Sequence, residues 1–390
     1  MNVSDYFSKL TVTPFYVDKY LVGAGMALIV FGYLMVASAS LHLGDKLTGN
    51  VFYYPLRQLI HIVLGLAAGV AIYLIPTQIW ERSGQGLFLV SLILLTIVLI
   101  PGIGVKVNGS LRWLSFLGVR VQVSELVKLI VVIYMAGFVT RHHDFVKESV
   151  YGLVRPFFLL SSACGLLLLE PDMGSAVVIV TIAMGIMFLA GARLQQFVVL
   201  IFAIVGAGIV AIVYSDYRSR RVTSFLRPWE DPFGDSFQLV QALISFGSGE
   251  VTGVGLGNGV QKLFYLPEAH TDFLFSVIAE ELGFIGVISI IFLFAIIVWR
   301  AFAIAVMAEQ LQQKFSAFIA YGLGIWIAFQ AFVNMGVNMG ILPTKGLTLP
   351  FMSYGGGSMV VMCSAMALLY RVNSEIQNLK KTSKQGAYHA

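Results

Sequence analysis

Long apolar stretches recur along nearly the whole chain, and they limit its fold more than any other feature. A bilayer core of about 30 Å is crossed by about 20 mostly apolar residues in a helix. Stretches of that kind fall near 21–40, 55–76, 84–101, 124–140, 152–170, 173–191, 195–215, 273–299, 315–342 and 349–371. Hydrophobic residues make up 58% of the chain and charged residues 12%, against about a quarter charged in a soluble domain. So few charges cannot cover a water-facing surface, which excludes a string of soluble domains. The expected fold class is an all-α integral membrane protein of about ten transmembrane helices, with 1–390 a single polytopic domain. The net charge of +5 gathers in loops and tails rather than on one face, so no nucleic-acid partner is expected. Cys164 and Cys363 both lie in apolar runs and form neither a disulfide framework nor a metal site. Ala37-Ser38-Ala39 faintly resembles a signal-peptidase site, but the region before it is long and not especially basic, and further spans follow it.

An even number of spans puts both termini on one side. The tail at 372–390 is rich in lysine (Lys380, Lys381, Lys384), and the short loops after even-numbered spans add Arg82, Arg141, Lys147, Arg193, Arg300 and Lys314. The positive-inside rule makes that side cytoplasmic. Two connections are long. The larger, 216–272, lies between the seventh and eighth spans and is therefore extracytoplasmic; long loops of this kind are usually functional or disordered. Its aromatic and proline residues (Phe225, Pro228, Trp229, Pro232, Phe233, Phe237) suit a segment folded onto the membrane surface. The other, near 102–123, carries Lys106, Asn108, Arg112, Trp113 and Arg120. The chain shows no internal repeat and no paired broken helices, which weighs against a secondary transporter.

Polar groups at membrane depth are costly, so each one is a functional hypothesis. Glu125 and Lys128 open the fourth span at i,i+3 on one helix face; an orienting ion pair and a cavity wall that touches substrate are both compatible with that spacing. Glu280 and Glu281 are adjacent, so at most one can face a given partner, and structural pairing is favoured over catalysis. Gln330, Asn334 and Asn338 stack on one face of the ninth span; helix–helix hydrogen bonding explains them without a substrate, and the lining of a lipid-headgroup cavity is the alternative. Arg57 and His61 form another i,i+4 pair, with the histidine read as satisfied by a neighbour.

The alternating Gly253, Gly255, Gly257 and Gly259 lack the flanking strand and helix of a dinucleotide fingerprint. Gly355-Gly356-Gly357 marks a tight entry to the last span. The long loop closes on Leu266-Pro267-Glu268-Ala269-His270-Thr271-Asp272-Phe273, which brings a carboxylate to the membrane boundary, level with a headgroup-borne sugar. Asp272 suits both a helix N-cap and a general base, and the residues alone leave both open. His270 and Asp272 have no third metal ligand at a suggestive spacing.

Taken together, these segments resemble the SEDS family (shape, elongation, division and sporulation) across essentially all the spans. The resemblance is carried, in order, by Val107-Asn108-Gly109 to Arg112-Trp113, Ser124-Glu125-Leu126-Val127-Lys128, Glu170-Pro171-Asp172-Met173-Gly174, Pro228-Trp229-Glu230-Asp231-Pro232-Phe233-Gly234 and the 266–273 stretch. It ends with Leu342-Pro343-Thr344-Lys345-Gly346-Leu347-Thr348-Leu349-Pro350 and Ser353-Tyr354-Gly355-Gly356. The wording of these motifs is nearer the division branch than the elongation branch. Val123 departs from the proline common before Ser-Glu, and Gly357 from a common serine.

The resemblance implies an inverting peptidoglycan glycosyltransferase of the bacterial inner membrane at the division septum, polymerising lipid II into β-1,4 glycan strands. The implied partners are a class B penicillin-binding protein, which supplies the transpeptidase, and other division proteins. A lipid II flippase and a non-enzymatic division scaffold are the rival readings. Asp272 is the residue carried over as catalytic. The reaction also needs cations near the departing pyrophosphate, and Arg112, Arg218, Arg220, Arg221, Lys128 and Lys345 are the candidates, arginine forks suiting paired phosphate oxygens. Glu125, Asn108, Trp113, His270 and Ser353 complete the expected substrate-binding set. A divalent cation (Mg or Mn) is a further carrier of that charge, with no dedicated site in the sequence.

Overall fold

The computed structural model describes residues 16–107, 110–116, 119–214, 216–234, 236–343 and 346–388. Three helices open it: α1 (Lys19–Thr48), α2 (Tyr53–Leu74) and α3 (Thr77–Val98). Asp18 caps α1 by accepting from the Leu21 N–H, and its other oxygen takes the Arg300 guanidinium. A three-stranded antiparallel meander follows: β1 (Val105–Val107), β2 (Ser110–Phe116) and β3 (Val119–Gln122). This sheet corrects the all-α expectation. Val105, Val107, Val119 and Val121 favour extended backbone, and the segment is too short and too interrupted to span.

β3 runs directly into α4 (Val123–Arg141), followed by a short α5 (His143–Glu148), α6 (Val150–Leu169), α7 (Met173–Leu189) and α8 (Leu194–Val213). The large loop holds α9 (Asp216–Leu226) and α10 (Phe237–Gly249) before α11 (Leu274–Gln310), α12 (Lys314–Asn338) and α13 (Gly356–Tyr388). Seven helices among the described residues are long and apolar enough to cross a membrane: α1 to α4 and α11 to α13. Shorter apolar stretches cover 154–169, 173–189 and 194–210. The last helix starts at Gly356 rather than near 349, because 349–355 forms an irregular turn.

α4 is the axis of the bundle. It packs against α3, α7, α12 and α13, and from Val127 to Val139 every residue is buried, as expected of a helix apolar on all sides. The outer helices instead show apolar side chains outward, including Leu66 and Val70 on α2, Ile93 on α3 and Phe158 on α6. An apolar exterior around an apolar core defines a multi-pass membrane protein.

α11 is interrupted. Gly283 has φ +63°, and a Cβ there would lie 2.3 Å from the Gly253 nitrogen, so only glycine fits. The backbone groups freed by the break pair with the loop after α10. Phe284 N–H donates to the Glu250 carbonyl (3.0 Å) and Ile285 N–H to that of Val251 (3.2 Å). In return, Val254 N–H and Gly255 N–H donate to the Glu280 and Glu281 carbonyls, each at 3.0 Å.

Candidate active site

Asp272 stands at the junction of the large loop and α11. The position with N-cap geometry is Phe273, which makes no side-chain cap. The Ser276 N–H in the first turn is taken instead by the Asn338 side-chain oxygen of α12 (3.1 Å), which also accepts from Ser276 Oγ (2.7 Å). A neighbouring helix thus does the capping that the sequence left open for Asp272.

The polar face of α12 explains why. Asn334 and Asn338 both donate from Nδ2 to the backbone carbonyl of Asp272, at 2.9 and 3.0 Å. Asn334 also donates to the Leu347 carbonyl (2.6 Å), and Gln330 to that of Thr348 (3.0 Å). One face of one helix therefore holds both Asp272, two residues before α11, and the strand-like 346–349 segment. Between these two, Gly346 lies against the Asp272 carboxylate: a Cβ on it would come 2.9 Å from Oδ2. The ladder makes the helix–helix hydrogen bonds expected of its i,i+4 spacing, Asn338 with Ser276 of α11 and Gln330 with Lys128 of α4. It adds a helix-to-loop fixation through Asp272, Leu347 and Thr348 that the spacing does not show.

Lys128 and Glu125 join this network from α4. The Lys128 ammonium, fully buried, donates to Glu125 Oε1 (2.7 Å) and Gln330 Oε1 (2.8 Å). Trp326 N–H shares the same Gln330 oxygen (2.8 Å). The expected ion pair is formed, and through Gln330 it reaches the 346–349 segment. Among the described residues, Glu125 Oε2 is buried without a hydrogen-bond partner.

The opposite wall is aromatic. The His270 ring packs edge-on to Tyr54 (5.0 Å between centroids) and lies 5.4 Å from Tyr354. Tyr354 also meets His61 at 5.9 Å, and its N–H donates to the His270 carbonyl (2.9 Å). The Arg57 guanidinium lies over the Tyr53 ring at 4.3 Å. Burial pushes the His270 imidazole below its ordinary pKa, with Glu268 pulling the other way. Its place is a wall position, and among the described residues no three His, Cys, Asp or Glu side chains converge as a metal site. Sequence reasoning missed Tyr54 and Tyr354 and left Arg57 and His61 as a bare pair; their i,i+4 spacing at a span entrance was the available signal.

The other candidates separate. Arg112 on β2 donates through Nε to the Glu170 carbonyl (3.0 Å) and through Nη2 to that of Pro171 (2.6 Å), so it fixes the α6–α7 turn. Trp113 pairs with Gln122 across the sheet. Ser353 Oγ accepts from Leu349 N–H (2.8 Å), closing the turn before α13. Arg220 lines a polar cavity of about 470 Å³ with Arg227, Glu230 and Asp231, built by α9 and the following turn. The side chains of Arg218 and Arg221 lie outside the described residues, as do Asn108 and Lys345. At the α6–α7 turn, Glu170 is fully buried, and neither carboxylate oxygen is hydrogen-bonded among the described residues. Burial, with Asp172 adding to it, pushes its pKa up to about 8.

Glu280 and Glu281 are structural, as expected. Glu280 accepts from Val260 N–H (2.8 Å) and Gln261 N–H (3.2 Å), and Glu281 from Gly257 N–H (3.0 Å). Lys262 pairs with Glu281 at 2.5 Å, and Ser38 donates to the same carboxylate.

A bundle whose polar helix face clamps the backbone carbonyl of Asp272, with a loop tied to its long apolar helices, defines a polytopic membrane protein with a partly buried polar site. The family model described as cell cycle protein, covering FtsW, RodA and SpoVE, matches residues 19–378; the chain belongs to this family, the SEDS family, on its division-type branch. A probable peptidoglycan glycosyltransferase FtsW of Methylomonas methanica is 60% identical over 372 residues, 95% of this chain and 96% of that one. Its namesake in Methylococcus capsulatus is 56% identical over 361 residues, 93% and 91% of the two chains. Among solved structures, a chain of a peptidoglycan synthase complex, described as coordinating polymerization and crosslinking, superposes with TM-score 0.75. It is 28% identical and covers 92% of this chain and 98% of its own. The rod shape determining protein RodA of Thermus thermophilus gives TM-score 0.67 at 26% identity, over 91% and 96% of the two chains.

Proposed function

We propose that this chain is a division peptidoglycan glycosyltransferase that polymerises lipid II, with Asp272 as general base. The observation that carries the reading is the double clamp on the Asp272 carbonyl by Asn334 and Asn338. It fixes the backbone of the one residue whose carboxylate faces the side-chain-free Gly346. The names of the relatives supply the reaction.

In this reading the acceptor's 4-hydroxyl loses its proton to Asp272 as its oxygen attacks the anomeric carbon of the growing chain. The bond to the pyrophosphate breaks, and inversion of the α-linked donor leaves a β-1,4 bond. The Tyr54–His270–Tyr354 wall offers ring faces to sugars, and Arg57 offers a guanidinium to a phosphate. A divalent cation would arrive with the pyrophosphate rather than on a protein site. Glu125, Lys128 and Gln330 act by positioning the 346–349 segment.

The proposal includes ten spans, with both termini in the cytoplasm and the 216–272 loop outside. It also places the chain at the septum beside a class B penicillin-binding protein. The solved complex that joins polymerization to crosslinking supports such a partner.

The test is purified protein, with and without that partner, incubated with labelled lipid II and analysed for glycan chains. Asp272→Asn should lower polymerisation by roughly 10²–10⁴-fold while insertion and partner binding stay normal. Near-wild-type polymer from that variant would remove Asp272 as base. Lipid II translocation without any polymer would favour the flippase.

A further inference from the structure

Beside the Asp272 site, on the other side of Leu347, lies an apolar groove of about 220 Å³. Its walls are Val177 near the start of α7, Phe329, Phe332 and Val333 on α12, and Leu342 and Leu347. Phe332 is 55% exposed at the mouth, whereas Val333 and Leu347 are buried inside. The groove and the site share a wall. The Leu347 side chain lines the groove while its carbonyl is held by Asn334, the same amide that holds Asp272. Its neighbour Gly346 touches the Asp272 carboxylate.

We propose that this groove seats the polyprenyl chain of the donor, the growing glycan still linked to its lipid pyrophosphate. The inference rests on the polymerase reading and deepens it. Both substrates carry a polyprenyl chain, but they hold it at different distances from the reacting atoms. In the donor, the attacked anomeric carbon is bonded directly to the pyrophosphate, so the lipid begins one pyrophosphate away from the bond that breaks. In the acceptor, a whole disaccharide also stands between the attacking hydroxyl and its pyrophosphate. An apolar groove one loop-thickness from Asp272 is within the donor's reach and too close for the acceptor's lipid. The groove opens past Phe332 on the outer face of α12, so a chain entering it continues into the bilayer. Among the described residues its walls carry no charged or hydrogen-bonding side chain, which suits an isoprenoid.

Two measurements test this. In the first, Phe332→p-benzoylphenylalanine places a photoreactive ring at an exposed position with little risk to folding. The full chain in mixed phospholipid nanodiscs is irradiated with radiolabelled undecaprenyl pyrophosphate. Labelling that unlabelled undecaprenyl pyrophosphate competes away is expected; labelling by phospholipid alone, or by a co-purified partner helix alone, overturns the proposal.

In the second, Val333→Trp and Val177→Trp fill the groove, and initial polymerisation rates are compared between lipid II with a full-length chain and lipid II with a single prenyl unit, too short to fill it. The long-chain substrate should lose about tenfold in kcat/KM, the equivalent of roughly two buried methylenes, while the short-chain substrate loses far less. Equal losses on both substrates overturn the proposal. If wild type makes no polymer but the competed labelling persists, the polymerase reading falls while the groove stands as a polyprenyl pyrophosphate site.

Discussion

The Glu125–Lys128 pair can be perturbed so that stability and chemistry give separate answers. At 2.7 Å and an effective dielectric of about 20, the Coulomb attraction is about 6 kcal/mol. Desolvation of two buried ions offsets much of it, and the pair is imperfectly satisfied because Glu125 Oε2 lacks a partner among the described residues. The net value of the pair is therefore small, yet either charge left alone is costly. Lys128→Met and Glu125→Met should each destabilise the fold by about 3–5 kcal/mol, whereas the double change to apolar residues of similar volume should be close to neutral. The double-mutant coupling is then several kcal/mol.

The assay is thermal unfolding in detergent of the four proteins, with lipid II polymerisation measured on the same samples. Additive losses would refute the coupling. If stability returns in the double variant while polymerisation does not, the charges act on substrate. If both return, the pair is structural only, and neither charge is needed on Gln330 for the 346–349 segment to be held.

Asn338→Leu strips Ser276 of its side-chain partner but leaves Asp272 its bond from Asn334. It should cost about 2–4 kcal/mol of stability and lower kcat by about 10–100-fold, as a displaced base does, with KM little changed; an unaltered kcat at wild-type KM would contradict the clamp. Glu170, with a folded pKa of about 8 against an ordinary 4.5, holds its proton more tightly folded than unfolded. Its contribution is therefore intact below about pH 4.5 and lost as pH rises toward 8. Glu170→Gln should flatten that decline, so the variant's melting temperature gains on wild type through that window; parallel melting curves would show that the carboxyl is not held neutral.

Much of this architecture was legible because a membrane span leaves a long unbroken signal. α1, α2, α4 and α12 fall where their apolar runs placed them. The sheet formed by β1, β2 and β3 was not legible, since strands of three, seven and four residues leave too little period to read. The site divides in the same way. Glu125 and Lys128 meet because i,i+3 spacing on a helix determines their geometry. The clamp on Asp272 joins α12 to a loop residue far away in sequence, and no local spacing encodes such a contact. Arg112 shows a related limit: its Nε and Nη2 donate to the carbonyls of Glu170 and Pro171, contacts between distant elements that no local spacing encodes.

The break at Gly283 also bears on how the molecule is made. The residues that splint α11, 250–255, precede it in the chain and so emerge from the ribosome first. By the time the distal half of α11 enters the bilayer, the strap that satisfies its open backbone groups has already been synthesised. Without that strap, the freed N–H and C=O groups at membrane depth would cost several kcal/mol each. Insertion of this span is therefore coupled to correct placement of the loop before it. A tag or fusion is better tolerated at the exposed Trp229–Phe233 turn than anywhere between Glu250 and Gly255, where even one added residue would misalign the splint before the helix arrives.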